Sequence, residues 1–516
     1  MIKVVDVFAG PGGLGEGFSR LQGGPDIGRV FDVALSIEKE GHAFDTLLLR
    51  KFYWQFPKGA PASYYDHLRG VLNRAELFAL HSEEAAQAQE KCWHATLGPD
   101  GEAADKVRAR IDEVTKDRDN WVLIGGPPCQ AYSLVGRSRN RGNPTYDPKL
   151  DSRQTLYVEY LQILAEHRPA VFVMENVKGL LSAKLEKTSI FERILTDLAN
   201  PGAAIRREER STRRTRKGGY RIYSLVDGKL FDGKGLRSAV VRSEDYGVPQ
   251  ARHRVILLGV RDDIPATPRI LQPQPAINVQ QVIGSLPKIR SGLNKKPDQP
   301  DNWKHCVQSQ SASRWTRHGT KELQAEIRRS MKRIAVPRAG RGGEFVASEL
   351  TADRLQEWLL DRKIGGACNH SSRGHMPADL HRYFYAACYA KVFGRSPGLE
   401  QFPEDLLPHH RSVRRAIKSG GHFSDRFRVQ LADRPSTTIV SHISKDGHYY
   451  IHPDPVQCRS LTVREAARLQ TFPDNYLFTG PRTAQYVQVG NAVPPFLANQ
   501  IAAVVFDLLV RAGALD

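Results

Sequence analysis

Five apolar runs punctuate the first half of the chain, and each ends at a residue that breaks or redirects it. Val4 to Phe8 runs into Gly10, Phe31 to Ile37 into Glu38, Trp121 to Ile124 into Gly125-Gly126-Pro127-Pro128, Ala170 to Met174 into Glu175, and Val255 to Val260 into Arg261. Continuous short runs of this kind predict buried strands of a mostly parallel sheet. Between them, apolar spacing of three and four predicts amphipathic helices over 73–95 and 104–114, and a further helix starting near Gln154. These lengths predict an α/β fold with a helical insertion over about 46–120 on the periphery of the sheet. Toward the end, Thr462 followed by Glu465 and closed by Pro473 is a capping-box helix, expected to be architectural. Gly490 to Pro495 is expected to open a last helix.

The 516 residues allow more than one domain, and no apolar stretch reads as a membrane span or an N-terminal signal. The expectation is a cytoplasmic protein. Six cysteines without CxxC spacing argue against a disulfide framework and fit a reducing compartment. A formal net charge of +19 points to a polyanion, nucleic acid before others, with a generic basic surface as the plain alternative. Arginine and lysine cluster at 204–221 and 321–343 and in the run from His409. Cys368, His370, His375 and His381 match no regular zinc spacing, so no metal is expected and the histidines read as solvated or phosphate-contacting.

Gly10, Gly12 and Gly15 satisfy G-x-G-x-x-G after a strand, and Glu38 closes the next strand where an acidic side chain takes ribose hydroxyls. This suits any adenosine cofactor, a nicotinamide included. Cys129 follows two glycines and two prolines just past a strand's carboxyl end, a stiff seat for a nucleophile. A lone cysteine there is otherwise a small buried hydrophobe. Glu175 reaches the same sheet edge. Arg252 and Arg254, two apart, are expected to face one way into the site.

The stretch Trp121 to Arg139 resembles the catalytic motif of the DNA (cytosine-5) methyltransferases, in which Pro-Cys-Gln follows the central strand. Matching segments follow in the family's order: DVFAGPGGLGEGF (6–18), ENVKGLL (175–181), YGVPQARHRVILLGVR (246–261), RSLTVREAARLQTFPD (459–474) and VQVGNAVPPFLA (487–498). The resemblance implies a Rossmann-like S-adenosylmethionine-dependent methyltransferase domain over 1–291, a second, smaller target recognition domain over 292–448, and a return to the catalytic domain over 449–516. It implies Cys129 as nucleophile, Glu175 and Arg254 on the cytosine and Arg252 orienting the group. It implies S-adenosyl-L-methionine held by Phe8, Gly10, Gly12, Gly13, Leu14, Glu38, Pro128, Leu156, Asn491 and Val493. The family's third motif carries an adenine-binding Asp, for which Asp66 is one possibility. The implied partners are double-stranded DNA and a separately acting cognate restriction endonuclease, with the enzyme a monomer on the nucleoid. An RNA methyltransferase of the same fold and a silent DNA-binding module are the alternatives; the large segment between the arginine pair and the RSLTVREAARLQ helix argues against the first, and Cys129, Glu175 and Arg254 against the second.

Overall fold

A computed structural model describes every residue except 25–27, 99–100, 117–118, 128–151, 186–187, 208–217, 232–235, 295–297, 409–412, 414–424 and 515–516. All five apolar runs are strands of one eight-stranded sheet. Its principal strands are β1 (Ile2–Val7), β2 (Phe31–Glu38), β3 (Cys92–His94), β4 (Val122–Gly125), β5 (Val171–Val177), β6 (Tyr220–Ser224), β7 (Val240–Arg242) and β8 (His253–Arg261). The order is β3-β2-β1-β4-β5-β8-β6, with β7 also paired to β8. β1 to β5 are mutually parallel, whereas β8 runs antiparallel to β5, β6 and β7.

Both faces of the sheet are covered, which is why its strands read as unbroken apolar runs. On one face Val5, Val7, Leu123, Phe172 and Met174 pack under helices carrying Ile111, Tyr160, Leu164 and Phe191. On the other, Val4, Val122, Ile124 and Val173 pack under Leu14, Phe18 and the final helix. The chain order reverses between β1 and β4, so the crevice beyond the carboxyl ends of these strands is where an open sheet binds its ligand.

The expected peripheral insertion over 46–120 is only partly that. Helix α1 (Gly13–Ser19) leads to β2, and α2 (Gly41–Tyr53) then packs against the sheet. After α3 (Ala62–Leu68), α4 (Arg74–Leu80) and α5 (Ser82–Glu90) the chain returns as β3, parallel to β2, and α6 (Ala104–Thr115) covers the sheet with Val107 and Ile111. The single helix expected over 73–95 breaks at His81, whose φ of −136° and ψ of 59° leave the helical region. Its ring nitrogen sits 2.8 Å from the Ser63 hydroxyl. Leu68, Leu77 and Ala88 share a core with Ile364 and Cys368, so these helices bridge to the chain's second half rather than lie aside.

That second half holds its own core and is more helical than its loop-rich sequence suggests. α7 (Ser152–His167), α8 (Ile190–Ala199) and α9 (Pro201–Arg207) complete the region around the sheet, and α10 (Val279–Ile283) packs with Leu359, Ala367, Val463 and Leu469 in a separate core. Then α11 (Pro300–Gln308), α12 (Lys321–Lys332) and α13 (Pro377–Phe393) gather Trp303, Ile327, Tyr383 and Phe384 into a core with Phe427 and Ile451. Strands β9 (Gly342–Ala347) and β10 (Gly366–Ser371) form an antiparallel pair beside it.

The three histidines expected to be solvated, His370, His375 and His381, are instead buried and satisfied. His370 contacts the Thr462 hydroxyl at 3.0 Å and the Pro287 carbonyl at 2.8 Å, His381 contacts the Cys306 carbonyl at 2.9 Å, and His375 lies 3.3 Å from the Ser460 hydroxyl. Burial lowers the pKa of all three, to about 4 for His370. No cluster of metal-ligating groups occurs among the described residues.

The expected capping-box helix is α14 (Val463–Leu469), buried along its whole length. Thr462 accepts from the Glu465 amide, and Glu465 accepts from the Thr462 amide and takes both ends of Arg459 at 2.7 Å. α15 (Arg482–Asn491) and α16 (Pro495–Arg511) follow. By length and composition 482–511 is apolar enough to cross a membrane, but 61% of that window is buried here. The apolar side of α16 instead closes on α1: a β-carbon at Gly17 would fall 2.4 Å from the Ala498 β-carbon.

Candidate active site

The turn from β1 to α1 uses conformations that bare the backbone. Phe8, Gly10 and Gly12 have φ of 58°, 58° and 94°, a region that costs a phenylalanine strain and a glycine almost nothing. A β-carbon at Gly10 would meet nothing within 4 Å among the described residues, so none of them crowds the turn there. Glu38 Oε2 accepts from the Gly10 amide at 2.7 Å and Oε1 from the Glu40 amide at 2.8 Å, which fixes the carboxylate beside the gap with lone pairs to spare. A β-carbon at Gly13 would fall 2.3 Å from the Val493 carbonyl oxygen, so the 490–495 turn folds back onto the glycine loop. Asn491 is exposed at the end of α15, and Leu156 is buried in α7. Leu14 is different: its side chain belongs to the core, which leaves its backbone for any ligand.

An open, glycine-lined turn, a half-buried Phe8 and a fixed acid at the end of β2 fit an adenosine group bearing a sulfonium. Phe8 suits the cation, and the chain needs no phosphate-binding lysine. Exchanging Glu38 for Gln removes the charge while keeping the shape. Calorimetric titration with S-adenosylmethionine should then show a roughly 10- to 100-fold affinity loss, the worth of hydrogen bonds to a charged group. Unchanged affinity takes Glu38 out of the site. Asp66, the possibility raised for the adenine-binding acid, lies on α3, 42% exposed and paired at 3.0 Å with Arg69.

At the neighbouring strand ends, Glu175 on β5 and Arg254 on β8 come together. In the antiparallel register Arg254 pairs with Val177 and Ile256 with Glu175, so the two side chains are diagonal neighbours on one face. Arg254 Nε lies 2.9 Å from Glu175 Oε1, and each side chain is 13% exposed. The chain leaving β4 passes against them. A β-carbon at Gly126 would sit 3.2 Å from Glu175 Oε2, and Asn176 Nδ2 donates to the Pro127 carbonyl at 3.2 Å. Pro128 and Cys129 lie outside the described residues, one and two positions beyond this anchored proline.

Arg252 does not join the pair. β8 begins at His253, and Arg252 belongs to the preceding turn, where its amide donates to Gln250. Its guanidinium is buried and donates to the Ile439 carbonyl at 2.8 Å and the Gly490 carbonyl at 3.2 Å. The two-residue alternation assumed a strand that includes Arg252, and β8 starts one residue later. Arg252 therefore ties the 436–441 segment and the 490–495 turn to the strand that bears Arg254.

Asp6 is a residue that sequence reasoning passed over. It is buried in β1 with neither carboxylate oxygen hydrogen-bonded, and Oδ2 would be 3.0 Å from a β-carbon at Gly15. Its signal was a charge inside the run Val4 to Phe8. Burial pushes its carboxyl up from 3.8 to about 7, against the pull of Lys51 and with a push from Glu38. Between about pH 4 and pH 7 the folded chain thus holds a proton that the unfolded chain has lost, and stability falls as pH rises through that window. Asp6→Asn removes the effect, so its apparent Tm should gain on the wild type at pH 8 relative to pH 5. An equal difference at both pH values contradicts this.

A profile of the family described as C-5 cytosine-specific DNA methylase matches residues 72–206 and 216–507. The chain belongs to this family. Among its relatives, Type II methyltransferase M.Bpa9945I of Bacillus paralicheniformis is 32% identical over 527 residues, 98% of this chain and 99% of its own. Type II methyltransferase M.AgeI of Thalassovita gelatinovora is 27% identical over 78% of this chain and 86% of its own. DNA (cytosine-5-)-methyltransferase M.ApeKI of Aeropyrum pernix is 27% identical over 76% and 82%. This C-5 cytosine DNA methylase therefore acts on DNA and draws its methyl group from S-adenosylmethionine, and the nicotinamide reading of the glycine turn is set aside. The candidate site of the methylase is the sheet edge where the parallel strands β1, β2, β4 and β5 end together.

Proposed function

We propose that the protein is the modification methyltransferase of a type II restriction–modification system, converting one cytosine of a fixed duplex sequence to 5-methylcytosine. The relatives named type II methyltransferases support the setting. The observation that carries the chemistry is the Glu175–Arg254 pair against Pro127, two residues before Cys129. In this reading residues 292–448 are the target recognition domain, the chain acts as a monomer in the cytoplasm, and an endonuclease of matching specificity works separately.

The target base leaves the duplex stack to enter the pocket, because carbon 6 is not accessible inside it. Glu175 takes the exocyclic amine side of the ring and Arg254 its carbonyl oxygen. The Cys129 thiolate, favoured by the nearby guanidinium, adds to carbon 6 and pushes electron density to carbon 5. Phe8, Gly10, Gly12, Gly13, Glu38, Pro128, Leu156, Asn491 and Val493 would hold S-adenosylmethionine, which when bound would supply an electrophilic methyl carbon. Carbon 5 takes the methyl group as the methyl–sulfur bond breaks and S-adenosylhomocysteine leaves with that electron pair; the carbon 5 proton then passes to water, and the bond from Cys129 to carbon 6 breaks to return the thiolate.

The test is methyl-tritiated cofactor offered with duplex DNA and with RNA, followed by sequencing of modified DNA. Label should enter DNA alone, at carbon 5 of cytosine in one sequence context. Label in RNA, or in cytosines without common context, overturns the reading.

A further inference from the structure

Four arginines from separate stretches meet where the chain's second core joins the α14–α15 region. Arg482 at the start of α15 donates to the Ser372 carbonyl at 2.7 Å, and Arg341 of the Pro337 to Gly343 loop donates to the same oxygen at 3.3 Å. Two guanidinium groups thus converge on one atom. Arg373 follows Ser372, and Arg290 shares Asp298 with Arg341, at 2.8 Å and 3.4 Å respectively. Against these four cations stand two carboxylates. Asp298 is held by Arg290 and Arg341, and Glu344 is occupied by Asn369 and Gln485.

The excess positive charge is not dispersed into water. Arg290 and Arg373 are buried, and the Nε atoms of Arg290, Arg341 and Arg373 have no hydrogen-bond partner among the described residues. Burial lowers the Arg482 pKa, and the closeness of Arg373 and Arg341 lowers it further. Like charges held this close oppose folding unless an anion compensates them. Arg341 is 36% exposed and Arg482 is half-buried, so both remain reachable from solvent while Arg290 and Arg373 sit behind as a fixed field. The N-terminus of α15 adds its own partial positive charge, having Pro481 as its cap and no side-chain cap.

The cluster is fastened to the catalytic edge. Arg373 donates to the carbonyls of Ile443 at 2.7 Å and Lys445 at 2.8 Å. The other end of that short segment, Ile439, is held by Arg252, two residues before Arg254. Through the 439–445 segment the cationic site is thus joined to the turn that precedes the strand bearing Arg254.

We propose that Arg341 and Arg482 clamp one backbone phosphodiester of the DNA substrate, with Arg290 and Arg373 supplying field from behind. This rests on the DNA-methylating reading above. The clamp fixes the register of the duplex and carries no sequence information of its own.

The double variant Arg341→Gln, Arg482→Gln tests it, measured by fluorescence anisotropy with a labelled duplex bearing the methylated sequence across a salt series. Loss of one phosphate contact should weaken binding about tenfold at low salt and make the log–log salt slope shallower by about 1. KM for DNA should rise with kcat at saturating DNA unchanged, and cofactor affinity should stay as in the wild type. The Lys pair, Arg341→Lys with Arg482→Lys, should keep the slope. A Gln variant with the wild-type slope overturns the clamp, as does one whose binding loss is matched by a fall in cofactor affinity and melting temperature. Absence of duplex binding by the wild type defeats the underlying reading instead.

Discussion

Cys129→Ala is expected to abolish methyl transfer while leaving duplex and cofactor binding intact. Carbon 5 of cytosine becomes nucleophilic only when a thiolate has added at carbon 6, so removing the sulfur removes the route rather than slowing one step of it. The loss should be on the order of 10⁴-fold or more, as for other enzymes stripped of a covalent nucleophile. Binding should survive because the groups that hold base and cofactor do not depend on the thiol. Glu175 and Arg254 hold each other at 2.9 Å, and the entry to the loop is anchored by Asn176 on Pro127. Tritium transfer and anisotropy on the same preparation give both halves of the result. Residual transfer within tenfold of the wild type contradicts the role given to Cys129.

The largest stability loss expected from a single surface-to-core comparison is at Asp474. Arg468 on α14 takes both its oxygens, at 2.9 Å and 2.7 Å, with both side chains fully buried. Arg468 also donates to the carbonyls of Val282 and Thr351, joining three stretches of chain. Asp474→Ala leaves that guanidinium buried without its counter-charge, at a cost of about 3–5 kcal/mol. The apparent Tm should fall on the order of 10 °C. The exposed pair Lys106–Glu102, at 61% and 28% exposure, provides the contrast. Glu102→Ala should cost less than about 1 kcal/mol. A mild Asp474→Ala, comparable with Glu102→Ala, means that α14 does not hold the junction together.

What could be read from the residues depended on whether the signal was local. Strand ends could, because burial on both faces of a parallel sheet leaves unbroken apolar runs that stop where the ligand crevice begins. The cap of α14 was equally legible, since Thr462 and Glu465 satisfy each other within one turn. Arg252 misled because alternation holds only inside a strand, and β8 starts at His253. Its true partners, Ile439 and Gly490, are 187 and 238 residues away. The histidines of 370–381 misled for the same reason: nothing near them in sequence announces Pro287, Thr462 or Cys306 as partners. Asp6 was visible only as an oddity, a charge in a strand whose consequence required knowing how completely the sheet is covered.

The most direct test of the central claim is a duplex carrying 5-fluorocytosine at the methylated position, incubated with the protein and S-adenosylmethionine and analysed by peptide mass spectrometry. Fluorine cannot leave as the carbon 5 proton does, so the thiol should remain bonded to carbon 6. The account predicts a stable adduct on the peptide containing Cys129. Methyl transfer to ordinary cytosine with no adduct, or an adduct on any other residue, contradicts it.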